Sequence, residues 1–361
     1  MLKAKKILVA PLDWGIGHAS RCVPLINALL ELEQKPLIAA GGAAARLLKE
    51  RFPELPFIDF PSAPIHYGTG DTILWPMLKQ LPSIFMQIKR DHRFVETIVQ
   101  QTGVDAIISD NRFGAYSKKI PSVFITHQLH IRMPDGLVGF AFVAELLNKQ
   151  LISNFGECWV PDFEGTLNLA GQLSHPAMPQ TLTHYVGPLS RFNDKKPTAD
   201  PSFRYDFLVM LSGPEPQRSL FEQKIIALFE KRKETVFVLR GLPGEKAIPA
   251  TTHNIVMQNH AGDEQIAALL RSSDRIIARA GYSTIMDLVA MQRTALLVAT
   301  PGQPEQEYLA ELMDARSWFS TVKQGELNEN SIMNAAEGRL PEELTRADKL
   351  QNHLRNWLGS V

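Results

Sequence analysis

Cysteine is scarce in this chain. Cys22 and Cys158 are the only two in 361 residues, which excludes a disulfide framework and any CxxC metal site. Net charge is lacking too, since 38 Lys and Arg balance 38 Asp and Glu. The balance holds locally, with 17 basic against 16 acidic residues through Ser190 and 21 against 22 after it. No basic arm or acidic tail points to nucleic acid, and a neutral or small partner is expected. No apolar run approaches the ~20 residues that span a bilayer. The run after the leading lysines, in "KILVAP", is only about five residues long and meets a glycine turn. A signal-peptide core needs roughly 7–15. These lacks predict a cytoplasmic protein whose membrane contact, if any, is peripheral and from the inner face.

What the chain does have is alternation. At 361 residues, two domains of about 150 residues are the natural expectation. Short apolar runs alternate with helical patterns, as in parallel α/β architecture. The first half offers strands in "KILVAP", "PLIAAG", "FIDFP", "DAIISD", "SVFITH" and "ECWVP". Helical spacing runs from Ala19 to Leu32 and from about Ile73 to Gln101. Tyr185–Asp206, with three prolines and "NDKK", reads as a linker. A second series follows in "FLVMLSG", "TVFVLRG", "NIVMQN", "RIIARAG" and "TALLVAT". The expected division is an N-terminal domain over 1–188, a C-terminal domain over 189–340 and a closing helix in 341–361. Ligands of parallel sheets bind at the carboxyl ends of the strands.

The turn "WGIGHAS" follows the first strand. Gly15 and Gly17 permit a tight turn and close approach of a ligand to a helix N-terminus. A dinucleotide fingerprint fits poorly, because Ser20 takes the third small position and the second strand ends in "AAGG" without an acidic residue. "GLPGEKA" lacks the ending of a phosphate loop. His18 stands where the helix macrodipole disfavours imidazolium, so a neutral, basic ring fits there. It is a candidate general base; capping the turn or packing on Trp14 is the plain alternative. Asp110 ends a strand of the same domain and either orients His18 or caps the following loop. His127 and His130 lie three apart with no third ligand near in sequence, so hydrogen bonding explains them better than a metal. The Met and Phe stripe in "WPMLKQLPSIFMQIKRDHRF" is most simply core; the other reading is an apolar acceptor groove with Lys89, Arg90 and Arg93 toward anionic lipid. His253, His353 and the cysteines carry no argument.

"ARAGYSTIMDLVAMQRTALLVATPGQPEQEYLAELM" (Ala278–Met313) resembles the donor-site signature of GT-B glycosyltransferases. Similar sequences include the lipid II-forming N-acetylglucosaminyltransferase of peptidoglycan synthesis and the nucleotide-sugar glucosyl- and glucuronosyltransferases. The pattern matches at Arg279, Ala280, Gly281, Ser283, Thr284 and Asp287. Asp287 stands where the family more often has Glu on the ribose hydroxyls. Glu305 and Gln306 match the positions that hold sugar hydroxyls, with Glu305 in place of a common Asp. "LSGPEPQR" resembles the first glycine loop of the donor domain through Gly213, although Pro214 replaces a small residue. "NHAGDEQIAALLRSSD" resembles the base-binding loop, with His260 at its edge. "DWGIGH" and "THQLH" stand in the acceptor-side loops, placing Gly15, Gly17, His127 and Gln128 there. The resemblance is strong from Ala278 to Met313 and loose in the first half.

The resemblance implies two Rossmann-like domains facing each other across a cleft. It implies inverting, metal-independent transfer of a sugar from a uracil-based nucleotide donor to an acceptor hydroxyl, with His18 as base and no cofactor. The acceptor, lipid-linked or glycan, is not readable. Two other functions share the architecture: a nucleotide-sugar epimerase, and a binding protein without turnover.

Overall fold

A computed structural model describes residues 3–62, 74–133, 139, 141–176, 182–193, 204–345 and 349–361, with the backbone alone for 74–79 and 345. The chain forms two compact units, divided between Ser190 and Arg191, and the last residues return to the first unit.

The first unit is built from β1 (Lys6–Pro11), α1 (Ile16–Glu31), β2 (Lys35–Ala40), α2 (Gly42–Arg51), β3 (Phe57–Asp59) and α3 (Leu74–Thr102). It continues with β4 (Ala106–Asp110), β5 (Ser122–Ile125), α4 (Ala141–Ile152), β6 (Glu157–Val160) and β7 (Thr183–Tyr185). Its sheet has the order β3-β2-β1-β4-β5-β6-β7, and every ladder is parallel. A parallel sheet is covered on both faces, so its central strands are apolar throughout rather than alternating. β1 shows the two-sided burial. Ile7 and Val9 pack with α1, α2 and the C-terminal helix, whereas Leu8 and Ala10 pack with Val95 and Ile98 of α3.

The second unit contains β8 (Phe207–Met210), α5 (Gln217–Phe229), β9 (Val236–Leu239), β10 (Ile255–Gln258), α6 (Asp263–Ser272), β11 (Arg275–Arg279) and α7 (Tyr282–Ala290). Then come β12 (Leu296–Ala299), α8 (Pro304–Ala315), β13 (Ser320–Lys323) and α9 (Glu329–Met333). Its sheet runs β10-β9-β8-β11-β12-β13, again parallel in every ladder. Each sheet thus has the Rossmann order, reversing direction beside its first strand. The terminal helix α10 (Lys349–Ser360) buries Leu350, Leu354, Trp357 and Leu358 in the first unit.

Several sequence expectations shift. β7 and β13 carry no apolar run and were not anticipated; both are edge strands, only partly buried, and need little apolar sequence. α1 begins at Ile16 rather than Ala19, so His18 is its third residue. Helix at the C-terminus starts at Lys349, and Glu342–Thr345 forms only a 3-10 turn. The described part of the Met and Phe stripe of α3 is not core: Leu81, Phe85 and Met86 are exposed, and the buried face takes over at Asp91 and Val95. Tyr185 of the expected linker closes β7, and residues 194–203 of it lie outside the described residues.

Candidate active site

The first site grows from strand order. Pro11, the last residue of β1, pairs with Asp110, the last residue of β4. β2 and β4 flank β1 on opposite sides, so connections from this carboxyl edge diverge and leave a crevice. α1 opens directly after β1. Gly15 precedes it in extended backbone with open space where a Cβ would stand. Gly17 lies in the first turn, its carbonyl accepting from the Ser20 hydroxyl at 2.9 Å.

His18 Nδ1 lies 2.7 Å from Asp110 Oδ1. Arg21, one turn along α1 and buried, donates from Nη2 to Oδ1 at 2.5 Å and from Nε to Oδ2 at 3.1 Å. Its Nη1 donates to His127 Nδ1 at 3.1 Å, just beyond the end of β5. Arg21 Nη2 is also 2.6 Å from His18 Nδ1, and two N–H groups cannot bond one another. The ionised Asp110 resolves the contact: Oδ1 accepts from both, which puts a proton on His18 Nδ1. Burial alone would raise the Asp110 carboxyl; the Arg21 guanidinium and the His18 bond outweigh it and hold the group below its ordinary range. Arg21 can only donate, so His127 accepts at Nδ1. Sequence reading singled out His18, Asp110 and His127 but missed Arg21. The available signal was a charged residue on the apolar face of α1, three positions after His18.

His130 goes elsewhere, its Nδ1 3.6 Å from Glu145. Gln128 is half-buried beside His127, its backbone N–H donating to Thr126 Oγ1 at 3.0 Å.

In the second unit the candidate residues gather at the carboxyl edge of the other sheet. Gly213 follows β8 with φ 103°, a conformation that favours glycine, and a Cβ there would lie 3.5 Å from Thr300 Oγ1. Gly281 caps α7 in ordinary extended backbone. Ser283 and Thr284 occupy the first turn of α7, where a helix presents backbone amides to anions. His260 follows β10, half-buried, with its carbonyl accepting from Gln258 Nε2. β8 and β11 are the strands at which this sheet reverses its order.

Residues 227–354 match the glycosyltransferase family 28 C-terminal domain. That stretch is similar to the family 28 domain, and the chain has a GT-B fold. The glycotransferase of kitacinnamycin is 14% identical at TM-score 0.62, covering 100% of this chain and 96% of that one. MurG of Acinetobacter baumannii is 14% identical at TM-score 0.54, covering 99% and 100%. Arabidopsis thaliana UGT89C1, solved with UDP-L-rhamnose, is 13% identical at TM-score 0.57, covering 99% and 94%. No curated protein matches the chain in sequence.

Within the matched stretch, Arg279 and Asp287 are buried and Gln306 is half-buried. The Arg279 side chain is wholly buried. It donates to the carbonyls of Gln217 at 2.9 Å, Ala299 at 3.2 Å and Val298 at 3.4 Å, and stacks on Phe221. The guanidinium is thus held by backbone carbonyls. Burial pushes its pKa down to about 9, still cationic at neutral pH. Asp287 is buried one turn into α7 and bound by Arg191 Nε at 3.2 Å; Arg191 also reaches Asp263 Oδ1 at 3.3 Å. Gln306, in the first turn of α8, accepts from the Thr300 backbone at 3.0 Å and donates to Gln303 Oε1 at 2.5 Å. Glu305 beside it is half-buried.

Proposed function

We propose that this chain is an inverting, metal-independent glycosyltransferase that moves a sugar from a UDP-linked donor to an acceptor hydroxyl. The observation that carries the reading is the His18–Asp110 contact at the strand-order reversal of the first sheet. With Nδ1–H fixed on Asp110, Nε2 is the basic atom. The acceptor oxygen attacks the anomeric carbon as its proton passes to His18 Nε2, and the bond to the nucleotide diphosphate breaks with its electron pair on the leaving oxygen. Attack opposite the leaving group inverts the anomeric centre. Amides at the start of α7, the Gly213 loop and the Arg279 charge beneath them offset the negative charge on the diphosphate, the role a metal plays elsewhere. Asp287 serves the ribose, His260 the edge of the base, and Glu305 and Gln306 the sugar hydroxyls. The UDP sugar bound by the Arabidopsis protein supports the nucleotide; the sugar is a hexose or N-acetylhexosamine.

The acceptor side is Gly15, Gly17, His127 and Gln128, and we assign it an apolar or lipid-linked acceptor. Leu81, Phe85 and Met86 of α3, and Phe142, Val143 and Leu146 of α4, are exposed on the first unit. Such faces suit a lipid tail or peripheral membrane contact in envelope or glycoconjugate synthesis. No helix among the described residues is long and apolar enough to cross a membrane. Both cysteines are buried thiols, which fits the reducing cytoplasm.

Thermal shifts with UDP, TDP, GDP, ADP and NAD, each with and without magnesium, test the donor. A rise with UDP that needs no magnesium, followed by acceptor-dependent release of UDP from a UDP-sugar, is the expected result. Conversion of a UDP-sugar with no acceptor would replace transfer by epimerisation. Nucleotide binding without turnover on any acceptor extract would leave a binding protein.

A further inference from the structure

Away from the His18 crevice, the first unit assembles a second chemical group. Glu157 is the first residue of β6 and shares a sheet face with Trp159 two positions on. In the β6–β7 ladder Trp159 pairs with His184, which brings His184 to that face. α10 crosses the same face, with Trp357 edge-on to Trp159 at 5.2 Å and His353 edge-on at 4.8 Å. Two imidazoles and one carboxylate meet there from three elements. His18 and Asp110 lie at the carboxyl edge, while Glu157 opens its strand at the amino edge.

The two histidines pair with the carboxylate loosely, at ion-pair rather than hydrogen-bond distance. His184 Nε2 and His353 Nε2 each stand 3.7 Å from Glu157 Oε2, beyond hydrogen-bonding distance. The His18–Asp110 contact of this same chain closes to 2.7 Å. The two rings are 4.5 Å apart, and a donor atom from each of the three residues falls within 4.8 Å of the others. His353 Nε2 is shielded from solvent and has no hydrogen-bond partner, an arrangement that costs stability unless something binds there. Trp159 Nε1–H donates to Glu157 Oε2 at 2.8 Å and fixes the carboxylate, as an outer hydrogen bond orients a metal ligand.

A zinc ion at ~2.0–2.1 Å from each ligand would set its ligand atoms ~3.3 Å apart. The two His–Glu separations need to close by about 0.4 Å, and the ligand atoms of His184 and His353 lie within 4.8 Å of each other. Two neutral imidazoles and a carboxylate suit zinc, not the oxygen-seeking magnesium or calcium. Three protein ligands leave a fourth position for water.

We propose that Glu157, His184 and His353 hold a zinc ion that clips the terminal helix α10 to strands β6 and β7. Its role is to fasten the end of the chain to the first unit, separate from the transfer chemistry. The ligands span residues 157 to 353, and the second unit lies between the second ligand and the third.

The test uses the full chain, stripped with a chelator, then titrated with zinc and separately with cobalt. One zinc should bind per chain and survive gel filtration. Cobalt should give the visible absorption of a four-coordinate nitrogen and oxygen site. At a hundred-fold excess over Kd, zinc should raise the melting temperature by roughly 5–10 °C. His184→Gln and His353→Gln should each abolish the cobalt spectrum, while His253→Gln, on an exposed loop residue, should not. Zinc content below about a tenth of an equivalent, with no cobalt spectrum in the unmutated protein, would overturn the proposal. So would a zinc stoichiometry unchanged in the His184→Gln/His353→Gln double variant.

Discussion

His18 and Asp110 stand 92 residues apart in sequence and 2.7 Å apart in space. The parallel pairing of β1 with β4 makes that contact, because it sets the last residues of the two strands side by side and α1 opens directly beyond β1. The same carboxylate binds the buried Arg21, so the pair is anchored from both sides.

His18→Ala should lower turnover by about 10²–10⁴-fold, the usual worth of a positioned base, with UDP affinity nearly unchanged. Steady-state transfer rates and UDP titration of the same preparation separate the two effects. If affinity falls as far as turnover per bound enzyme, His18 is not the base.

Asp110 has a double task, and its removal should show twice. Asp110→Ala leaves the Arg21 guanidinium buried without its counter-charge, which costs about 3–5 kcal/mol, read as a lower urea midpoint. Asp110→Asn keeps the shape but lets the amide impose the wrong tautomer on His18, so turnover should fall even where the variant is folded. A slow, unstable alanine variant beside a fully active asparagine variant would mean that Asp110 is structural only.

Stability should fall in acid through identifiable carboxyls. Burial would raise Glu222, but Arg240 and Arg218 outweigh it and hold the carboxyl below its ordinary range, with contacts of 2.7 Å to Arg218 and 2.8 and 3.0 Å to Arg240. Asp110 is depressed likewise. A depressed carboxyl binds fewer protons in the folded state than in the unfolded one. Its stabilisation is therefore complete above the unfolded values of ~3.9 for Asp and ~4.3 for Glu, and is lost as pH falls through the lower folded values. Urea midpoints from pH 7 to pH 3 should drop, and Glu222→Gln should start lower at pH 7 and give a flatter curve. An equally steep curve in the variant would remove Glu222 from the account.

Asp287 should show itself through the ribose. Loss of a hydrogen bond to a charged group is worth about 1.5–3 kcal/mol, so UDP should outbind 2′-deoxy-UDP by roughly 10–100-fold. Asp287→Asn should shrink that preference. Equal discrimination before and after the change would assign Asp287 to holding Arg191 alone.

The sequence by itself determined the two α/β series, because a doubly covered parallel strand must be a short apolar run and eleven of the thirteen strands among the described residues announce themselves that way. It determined the glycosyltransferase reading from Ala278 to Met313, since the residues of that motif sit close together in the chain. Edge strands β7 and β13 escaped it, as they bury too little to need apolar residues. Only the tertiary structure decided that Arg21 locks Asp110, that Arg279 is enclosed and that Arg191 binds Asp287. It alone brought Glu157, His184 and His353 together. Each of these joins residues from different elements, and spacing along the chain carries no information about which strands become neighbours; hydrogen-bonded sheet order supplies it.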